Sequence, residues 1–464
     1  MALERYQWWI LAGCCAVLTV LWLPGLRFPV VSDTAIYAEI GENLWKRGVY
    51  AAFSVRNPHH LPLHAFLSYP LVDAFGVHLG MKLSTLLAGF AVLLTSFLLL
   101  RRHLGTSVAI GTVVLLTIHH ALVLMTMLGS ADLLFAALFL GSLAAYSAAA
   151  DHRRYYLLAG ALAGLSCITR YNGLPLIPLL ILWTVVVRPR DVRRPAFLVG
   201  SILSVVPMSG WFLRNFLVYG NPLHSDYTGE LALNSRGPVA QVVSNFFYYA
   251  HPLHNILPLL LVLSLYAIYR HGNRQRFLVL GMLAAWLLTA IWWVQAMRFA
   301  FAGYPILLGL GVLGLFDLWN LAALRTRTRA RYAIITASIL LILFSHLPSL
   351  CVYSYGACNA WVDRHIGLFP ANMGLTPEGF YAWDQARNRF NATAPQGSVM
   401  VVDDLLSERA WKTDVFRPDV RVISGVQPGY CPLYHITQRP QFGEAVIYET
   451  DVAPVTALTL IQCP

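Results

Sequence analysis

Long unbroken apolar runs are the feature that most limits what this chain can fold into. Five of these runs cover residues 7–26, 81–100, 107–128, 131–150 and 299–323. Hydrophobic residues make up 57% of the chain and charged residues only 12%, whereas a soluble domain carries about 25% charged residues. A single soluble domain, a disordered chain and a collagen-like chain are therefore excluded. The sequence predicts a polytopic α-helical membrane protein.

The apolar runs predict about eleven transmembrane helices, the first of them an uncleaved span rather than a signal peptide. The six further predicted spans cover residues 155–168, 174–187, 196–213, 251–269, 277–296 and 332–350. With the N-terminus inside, the short inner loops carry sixteen basic residues, against nine outside up to residue 350. This bias supports a cytoplasmic N-terminus, and an odd number of spans then places the C-terminus outside.

Two long segments are predicted on the outer side. The first outer loop, residues 27–80, contains helical periodicity at 34–47 and 61–75, which predicts helices lying in the membrane interface. The alternative is that residues 61–75 begin the second span. These segments and the spans together form a predicted membrane domain over residues 1–350.

The second outer segment, residues 351–464, has the composition of a soluble domain. It alternates short strand-like runs at residues 397–402, 419–424, 445–448 and 457–462 with a helical stretch at 405–411. The sequence therefore predicts a C-terminal soluble, extracytoplasmic α/β domain. One disulfide is expected in this segment, among Cys351, Cys358, Cys431 and Cys463, whereas Cys14, Cys15 and Cys167 are expected to be small core residues.

The net charge of +11 does not indicate nucleic acid as a partner. In a chain of this composition, basic residues serve mainly as topology signals and as contacts to anions such as phosphate. Ionisable residues at the outer ends of spans are more informative, because burying them requires a partner or a function. Asp33 is the first of these. It either caps the first interfacial helix or acts as a general base at the membrane surface.

The sequence resembles the GT-C-type glycosyltransferases, a superfamily that includes protein O-mannosyltransferases, lipid A aminoarabinose transferases and the rhizobial galacturonosyltransferase group. Six motifs carry the resemblance, in order along roughly residues 1–320. They are Ser32-Asp33-Thr34-Ala35-Ile36-Tyr37-Ala38-Glu39-Ile40 with Gly48-Val49-Tyr50, Leu61-Pro62-Leu63-His64, Ala131-Asp132-Leu133-Leu134, Thr169-Arg170-Tyr171-Asn172-Gly173, Trp211-Phe212-Leu213-Arg214-Asn215, and Arg298-Phe299 with Tyr304-Pro305.

The resemblance implies a hexosyl- or pentosyltransferase of the bacterial cytoplasmic membrane that takes its sugar from a polyprenyl-phosphate donor. It implies an inverting single displacement on the outer face, with a lipid, glycan or protein hydroxyl as acceptor and membrane lipids as surroundings. Asp33 matches the catalytic carboxylate of the superfamily. Many members have Glu at the next position, where this chain has Thr34.

The donor phosphate needs positive charge at the outer face, and the candidates for this role are Arg298, Arg170, Arg56, His60 and Arg214. The lysine that precedes a Pro-Pro-Leu in aminoarabinose-type members is absent here, so its task falls to one of these residues. The alternatives are that the span-end arginines extend to lipid headgroups and that His59-His60 form an exposed polar turn.

Asp132 is a second acidic candidate, which either caps the fourth span or faces the active cavity. A divalent metal ion is a weak further expectation, with His59, His251 and His254 as ligands, although paired interfacial histidines are more often structural. His119-His120, in the middle of a predicted span, are expected to form hydrogen bonds with other helices.

Two other functions are compatible with a chain of this kind. A transporter or flippase of lipid-linked sugars should show internal repeats or broken helices near the midplane, and the sequence shows no repeat. A ligase or polymerase of lipid-linked glycans would also use outer-face arginines, but it would not require the loop around Asp33.

Overall fold

A computed structural model of the chain describes residues 4–27, 33–52, 55–225, 237–250, 258–292, 295, 297–325, 336, 377–401, 419–423, 433–437, 444–450 and 457–461. The described part is mostly helical. In chain order its α-helices are α1 Arg5–Trp22, α2 Asp33–Arg47, α3 Pro62–Leu104, α4 Thr106–Thr117, α5 His120–Leu128, α6 Asp132–Ala148, α7 Tyr155–Cys167, α8 Leu176–Val187, α9 Pro195–Tyr219, α10 Pro238–Ala250, α11 Pro258–His271, α12 Arg276–Ile291, α13 Met297–Ala300, α14 Tyr304–Arg325 and α15 Pro377–Thr393.

The outer surface of the helix bundle is apolar. On α9, Leu217 is 73% exposed and Ile202 is 60% exposed, whereas the polar side chains of Ser204 and Asn215 on the same helix are buried. This distribution is the reverse of that in a soluble helix, and it is stable only where the surroundings of the bundle are apolar. The chain is therefore built as a multi-pass membrane protein.

The length of the helices bears on the number of crossings. Within the described residues, three stretches combine the length and the apolar composition needed to cross a membrane: Pro62–Leu104, Pro195–Tyr219 and Arg298–Leu321. A fourth results if the bent pair of α4 and α5 is one span. Several other apolar helices are shorter, and the last predicted span, 332–350, falls almost wholly outside the described residues. Eleven spans therefore stay a prediction.

The predicted interfacial stretch 61–75 and the second span belong to one long helix, α3, which is interrupted at Gly76. The backbone of Gly76 has φ +77°, a left-handed conformation that breaks the helical path and favours glycine. Residues 61–75 are therefore joined to the span without a loop, yet separated from it by a kink.

The predicted span 107–128 consists of two helices, α4 and α5, which are bent by 55° relative to each other. The helix restarts at His119, whose Nδ1 accepts a hydrogen bond from the backbone N–H of Ala121 at 3.2 Å. The Nε2 of the same ring lies 3.2 Å from the hydroxyl of Tyr304 on α14. The prediction that His119 forms a hydrogen bond with another helix is thus confirmed. Its ring also caps α5 at the point where the chain bends.

The described strands form two sheets. In the first outer loop, β1 Ala51–Ala52 pairs antiparallel with β2 Val55–Arg56. The second sheet lies near the C-terminus and contains β3 Val399–Val401, β4 Arg421–Ile423, β5 Leu433–Thr437, β6 Glu444–Glu449 and β7 Ala457–Ile461. Its order is β4-β3-β5-β7-β6, and β3 runs parallel to both of its neighbours, while the pairs of β7 are antiparallel.

Four strands of the second sheet coincide with predicted ones, namely β3, β4, β6 and β7. The sequence patterns did not reveal β5 or α15. The helix predicted at 405–411 lies outside the described residues.

Ion pairs gather where α3, α6 and α11 end and where α7 begins. Arg102 lies 2.6 Å from Asp151, and Arg153 and His271 pair with Asp191 and Asp317, respectively. The hydrogen bond from Arg102 lowers the pKa of Asp151. These helix ends are the ones predicted to face the cytoplasm, and the residues described next lie at the opposite ends.

Candidate active site

Asp33 is the first residue of α2, and the end of α5 holds this helix in place. The hydroxyl of Thr34 donates a hydrogen bond of 2.6 Å to the carbonyl oxygen of Leu128. The next residue, Gly129, has φ +73°, and a Cβ added there would lie 2.5 Å from Cγ2 of Thr34. The position after α5 therefore requires glycine both for its backbone conformation and for the close approach of α2.

Two basic side chains contact the Asp33 carboxylate, one at each oxygen. Nε2 of His60 lies 3.6 Å from Oδ1, and a guanidinium nitrogen of Arg298 lies 3.6 Å from Oδ2. The side chain of Asp33 is 28% exposed, compared with 6% for His60 and 12% for Arg298. Both distances exceed that of a direct hydrogen bond, and Asp33 is the most exposed of the three side chains.

The loop before α3 fixes the position of His60. The side-chain oxygen of Asn57 accepts hydrogen bonds from the backbone N–H groups of His59, at 2.9 Å, and His60, at 2.8 Å. The hydroxyl of Tyr50 donates to the carbonyl oxygen of His60 at 2.7 Å. The rings of His60 and Tyr37 pack edge to face, with centroids 4.8 Å apart. Backbone and ring are thus both held beside Asp33.

The segment that carries Arg298 is attached to α12. The indole N–H of Trp286 donates to the carbonyl oxygen of Ala300 at 2.7 Å, and the hydroxyl of Thr289 donates to that of Phe299 at 3.1 Å. These bonds satisfy carbonyl groups that the short helix α13 leaves open, and they orient Arg298 towards α2.

The C-terminal end of α12 is itself capped by a side chain from α10. The amide of Asn245 donates to the carbonyl oxygens of Thr289, Ala290 and Trp292 at 3.1, 2.9 and 2.7 Å. Asn245 is only 1% exposed, and Gln241, one turn earlier on the same helix, is 2% exposed and donates a hydrogen bond of 2.9 Å to it. Neither was among the predicted site residues, and two amide side chains four positions apart in a largely apolar helix are the signal that could have revealed them.

Arg170 and Asp132 form a second charged group behind the first. Nη1 of Arg170 lies 2.7 Å from Oδ1 of Asp132, which is 1% exposed and also accepts a hydrogen bond of 2.8 Å from Ser130. The ring of Phe299 connects the two groups, because its centroid lies 5.0 Å from the guanidinium carbon of Arg170 and 5.0 Å from that of Arg298. Asp33, Arg298, Phe299, Arg170 and Asp132 are therefore contiguous.

Comparisons with known proteins show what the sequence and the fold of this chain are similar to. The profile of the family described as dolichyl-phosphate-mannose-protein mannosyltransferase matches residues 60–213, and no curated protein sequence matches the chain. ArnT from Cupriavidus metallidurans bound to undecaprenyl phosphate has a TM-score of 0.59 at 14% identity, covering 99% of this chain and 100% of that chain. The apo state of the same protein has a TM-score of 0.56 at 14% identity, with the same coverage. The chain therefore shares the fold of ArnT, which agrees with the resemblance carried by the sequence motifs.

Within this fold, Arg214 belongs to a different cluster from Asp33. Its guanidinium carbon lies 5.1 Å from the ring centroid of Tyr50, 4.9 Å from that of Trp211 and 5.2 Å from that of Tyr219. It also donates hydrogen bonds to the side-chain oxygen of Asn215 and to the carbonyl oxygen of Tyr50. Arg214 therefore packs the outer end of α9 against the first outer loop.

The remaining predicted site residues are less central. Arg56 is exposed at the end of β2, and the ring of His59 lies 4.8 Å from that of His60. His251 and His254 lie outside the described residues, as do the four cysteines of the last segment. In the described part of the chain, no three His, Cys, Asp or Glu side chains are grouped so that they could hold a metal ion. Cys14 and Cys167 are buried free thiols, as expected, and Cys15 is a partly buried one.

Proposed function

We propose that the chain is a membrane glycosyltransferase that moves a sugar from a polyprenyl-phosphate carrier to a hydroxyl acceptor, with Asp33 as the general base. The observation that carries the proposal is the contact between the partly exposed Asp33 carboxylate and the Arg298 guanidinium. A base for the acceptor and a cation for the leaving phosphate must lie within one small site, and this pair meets that requirement. The fold shared with ArnT supports the same reaction class, since ArnT is a protein bound to undecaprenyl phosphate.

The proposed reaction is a single displacement with inversion at the anomeric carbon. Asp33 accepts the proton of the acceptor hydroxyl while its oxygen attacks the sugar from the side opposite the phosphate. The bond between the anomeric carbon and the phosphate oxygen breaks, and the phosphate leaves with the electron pair. Arg298 stabilises the negative charge that develops on the phosphate, because a guanidinium offers planar, paired donors to an oxyanion.

Arg298 is the better candidate than Arg170 for direct contact with the phosphate. Its Nε forms no hydrogen bond within the described residues, and its Nη2 lies 3.6 Å from Oδ2 of Asp33, so the guanidinium keeps donors for an anion. Arg170 already lies 2.7 Å from Asp132. We therefore assign Arg170 a supporting role, in which it and Phe299 fix the position of Arg298 and add positive potential.

We further propose that the site opens to the outer side of a bacterial cytoplasmic membrane, with a cytoplasmic N-terminus and about eleven spans. Residues 351–464 would then form an extracytoplasmic α/β domain. This proposal is supported by a continuous apolar core that contains residues of the helix bundle together with residues of α15 and the sheet. The latter are Ala386, Phe390, Met400 and Leu458. A domain in that position could help to select the acceptor.

Transfer from a labelled donor tests the proposed function. Purified full-length protein in nanodiscs would be given polyprenyl phosphates that carry labelled hexoses or pentoses, together with a membrane and envelope extract as the source of acceptors. We expect release of polyprenyl phosphate and transfer of the label with wild-type protein, and neither with Asp33→Asn. Movement of intact donor across a sealed vesicle without cleavage would contradict the proposal and indicate a flippase. Transfer that is unaffected by Asp33→Asn would favour a ligase or polymerase.

A further inference from the structure

The imidazole of His60 is a buried polar group with unused hydrogen-bonding capacity. Neither Nδ1 nor Nε2 forms a hydrogen bond within the described residues, and the side chain is only 6% exposed. A buried donor without an acceptor is costly, and native proteins rarely keep one without a function. The nearest acceptor described is Oδ1 of Asp33, at 3.6 Å from Nε2.

The surroundings of His60 prevent its ring from moving away from Asp33. Its backbone is held by Asn57 and Tyr50, and Tyr37 of α2 meets both His60 and His64 edge to face, with ring centroids 4.8 and 5.0 Å apart. Asp33 begins the same helix that carries Tyr37, so imidazole and carboxylate are positioned by one packed unit. A small rotation of the Asp33 side chain is enough to shorten the distance between Nε2 of His60 and Oδ1 of Asp33 from 3.6 Å to that of a hydrogen bond.

The two oxygens of Asp33 face different partners. The carboxylate can therefore keep one partner when the other is taken by a ligand. Arg298 contacts Oδ2, and His60 contacts Oδ1. A phosphate that binds Arg298 competes with Asp33 for the same guanidinium and weakens that attraction. His60 lies at the opposite oxygen, where its Nε2 can hold the carboxylate in its orientation.

We propose that His60 is a positioning residue for Asp33. When the donor phosphate occupies Arg298, the N–H of Nε2 donates to Oδ1 and leaves Oδ2 directed at the acceptor hydroxyl. This inference rests on the proposed role of Asp33 as general base. It gives His60 a role other than binding the donor phosphate, because Nε2 faces Oδ1 of Asp33, and Asp33 is the more exposed of the two side chains, at 28% compared with 6%.

Three variants test the role of His60. His60→Leu removes the donor, whereas His60→Gln keeps an amide N–H near the position of Nε2. Misorientation of a catalytic group by about 1 Å can cost on the order of 100-fold in rate. We therefore expect His60→Leu to lower kcat by about 10- to 100-fold with the Kd for undecaprenyl phosphate within about twofold of wild type, and His60→Gln to recover kcat to within about fivefold. His152→Leu, an exposed histidine at the other end of the bundle, serves as the control.

The outcomes separate this inference from the proposed function. If Asp33→Asn turns over like wild type, the general base assignment fails, whatever His60 does. If Asp33→Asn is inactive and His60→Leu is as active as wild type, only the positioning role fails. A raised Kd for undecaprenyl phosphate with unchanged kcat in His60→Leu would make His60 a phosphate ligand instead. If His60→Leu does not fold, His60→Gln decides alone: a kcat within about fivefold of wild type supports the positioning role, and a larger loss contradicts it.

Discussion

Arg170 and Asp132 form a close ion pair, with 2.7 Å between Nη1 and Oδ1, at a place where the Asp132 side chain is only 1% exposed. Arg298, which shares the ring of Phe299 with Arg170, is instead 3.6 Å from the more exposed Asp33. The two arginines therefore differ in what they can do. Arg170 is neutralised and holds the site together, whereas Arg298 remains able to bind an anion.

Asp132→Asn should destabilise the protein. Removing one member of a buried ion pair leaves the other charge uncompensated, which typically costs about 3–5 kcal/mol. Thermal unfolding of the purified protein in detergent should show a clear fall in Tm. Arg298→Gln is the control and should change Tm much less, and the double variant Asp132→Asn with Arg170→Gln should recover part of the loss. An unchanged Tm in Asp132→Asn would contradict the assigned role of this pair.

Arg298→Gln should weaken donor binding. A hydrogen bond to a charged group contributes about 1.5–3 kcal/mol, which corresponds to roughly 10- to 100-fold in Kd. Binding of undecaprenyl phosphate, measured by native mass spectrometry or scintillation proximity, should fall by that factor. Arg214→Gln tests specificity, because Arg214 packs among aromatic rings, and its variant should keep donor affinity while it lowers Tm. Equal losses of affinity in the two variants would show that Arg298 has no special role.

Gly129→Ala should reduce both stability and activity. An alanine at φ +73° costs about 1–2 kcal/mol from the backbone alone, and here its Cβ would also lie 2.5 Å from Cγ2 of Thr34, next to Asp33. Gly220→Ala is a matched control, since Gly220 has φ +72° and a methyl group added there would meet no atom within 4 Å. We expect the larger fall in Tm, and a fall in turnover, for Gly129→Ala only. Equal effects would mean that the contact with Thr34 is unimportant.

Asn245→Leu should disturb the segment that carries Arg298. The variant leaves carbonyl groups at the end of α12 without their donor, and a buried unsatisfied polar group costs about 1–3 kcal/mol. We expect a lower Tm together with a lower kcat/KM. Val243→Leu on the exposed face of the same helix is the control and should be close to wild type. If Asn245→Leu keeps kcat/KM, Arg298 is positioned without help from α10.

The sequence could predict which residues lie at the same end of the bundle. Successive apolar runs alternate in direction, so Asp33, Asp132, Arg170 and Arg298 all fall at one side once the spans are counted. It could not predict which arginine meets which carboxylate. Asp132 begins α6 and Arg170 follows the end of α7, so their pairing depends on how these two helices pack.

Several local features also escaped the sequence patterns. The His119 side chain caps the helix at the bend between α4 and α5, and the run 107–128 contains no proline and no glycine at that point that would reveal it. Periodicity likewise offered no reason to single out Phe299, because its ring contacts Arg170, which is far from it in the sequence, as well as its neighbour Arg298. Side-chain contacts between helices, rather than element boundaries, are what the sequence left open.

The most direct test of the central claim is a comparison of donor binding and turnover in Asp33→Asn. The substitution keeps the shape of the side chain and removes its capacity to accept a proton. We expect the Kd for undecaprenyl phosphate to stay within about twofold of wild type and the rate of sugar transfer to fall by about 10²–10⁴-fold, the usual contribution of general base catalysis. A transfer rate within about threefold of wild type, with the protein folded and the donor bound, would contradict the claim that Asp33 is the base.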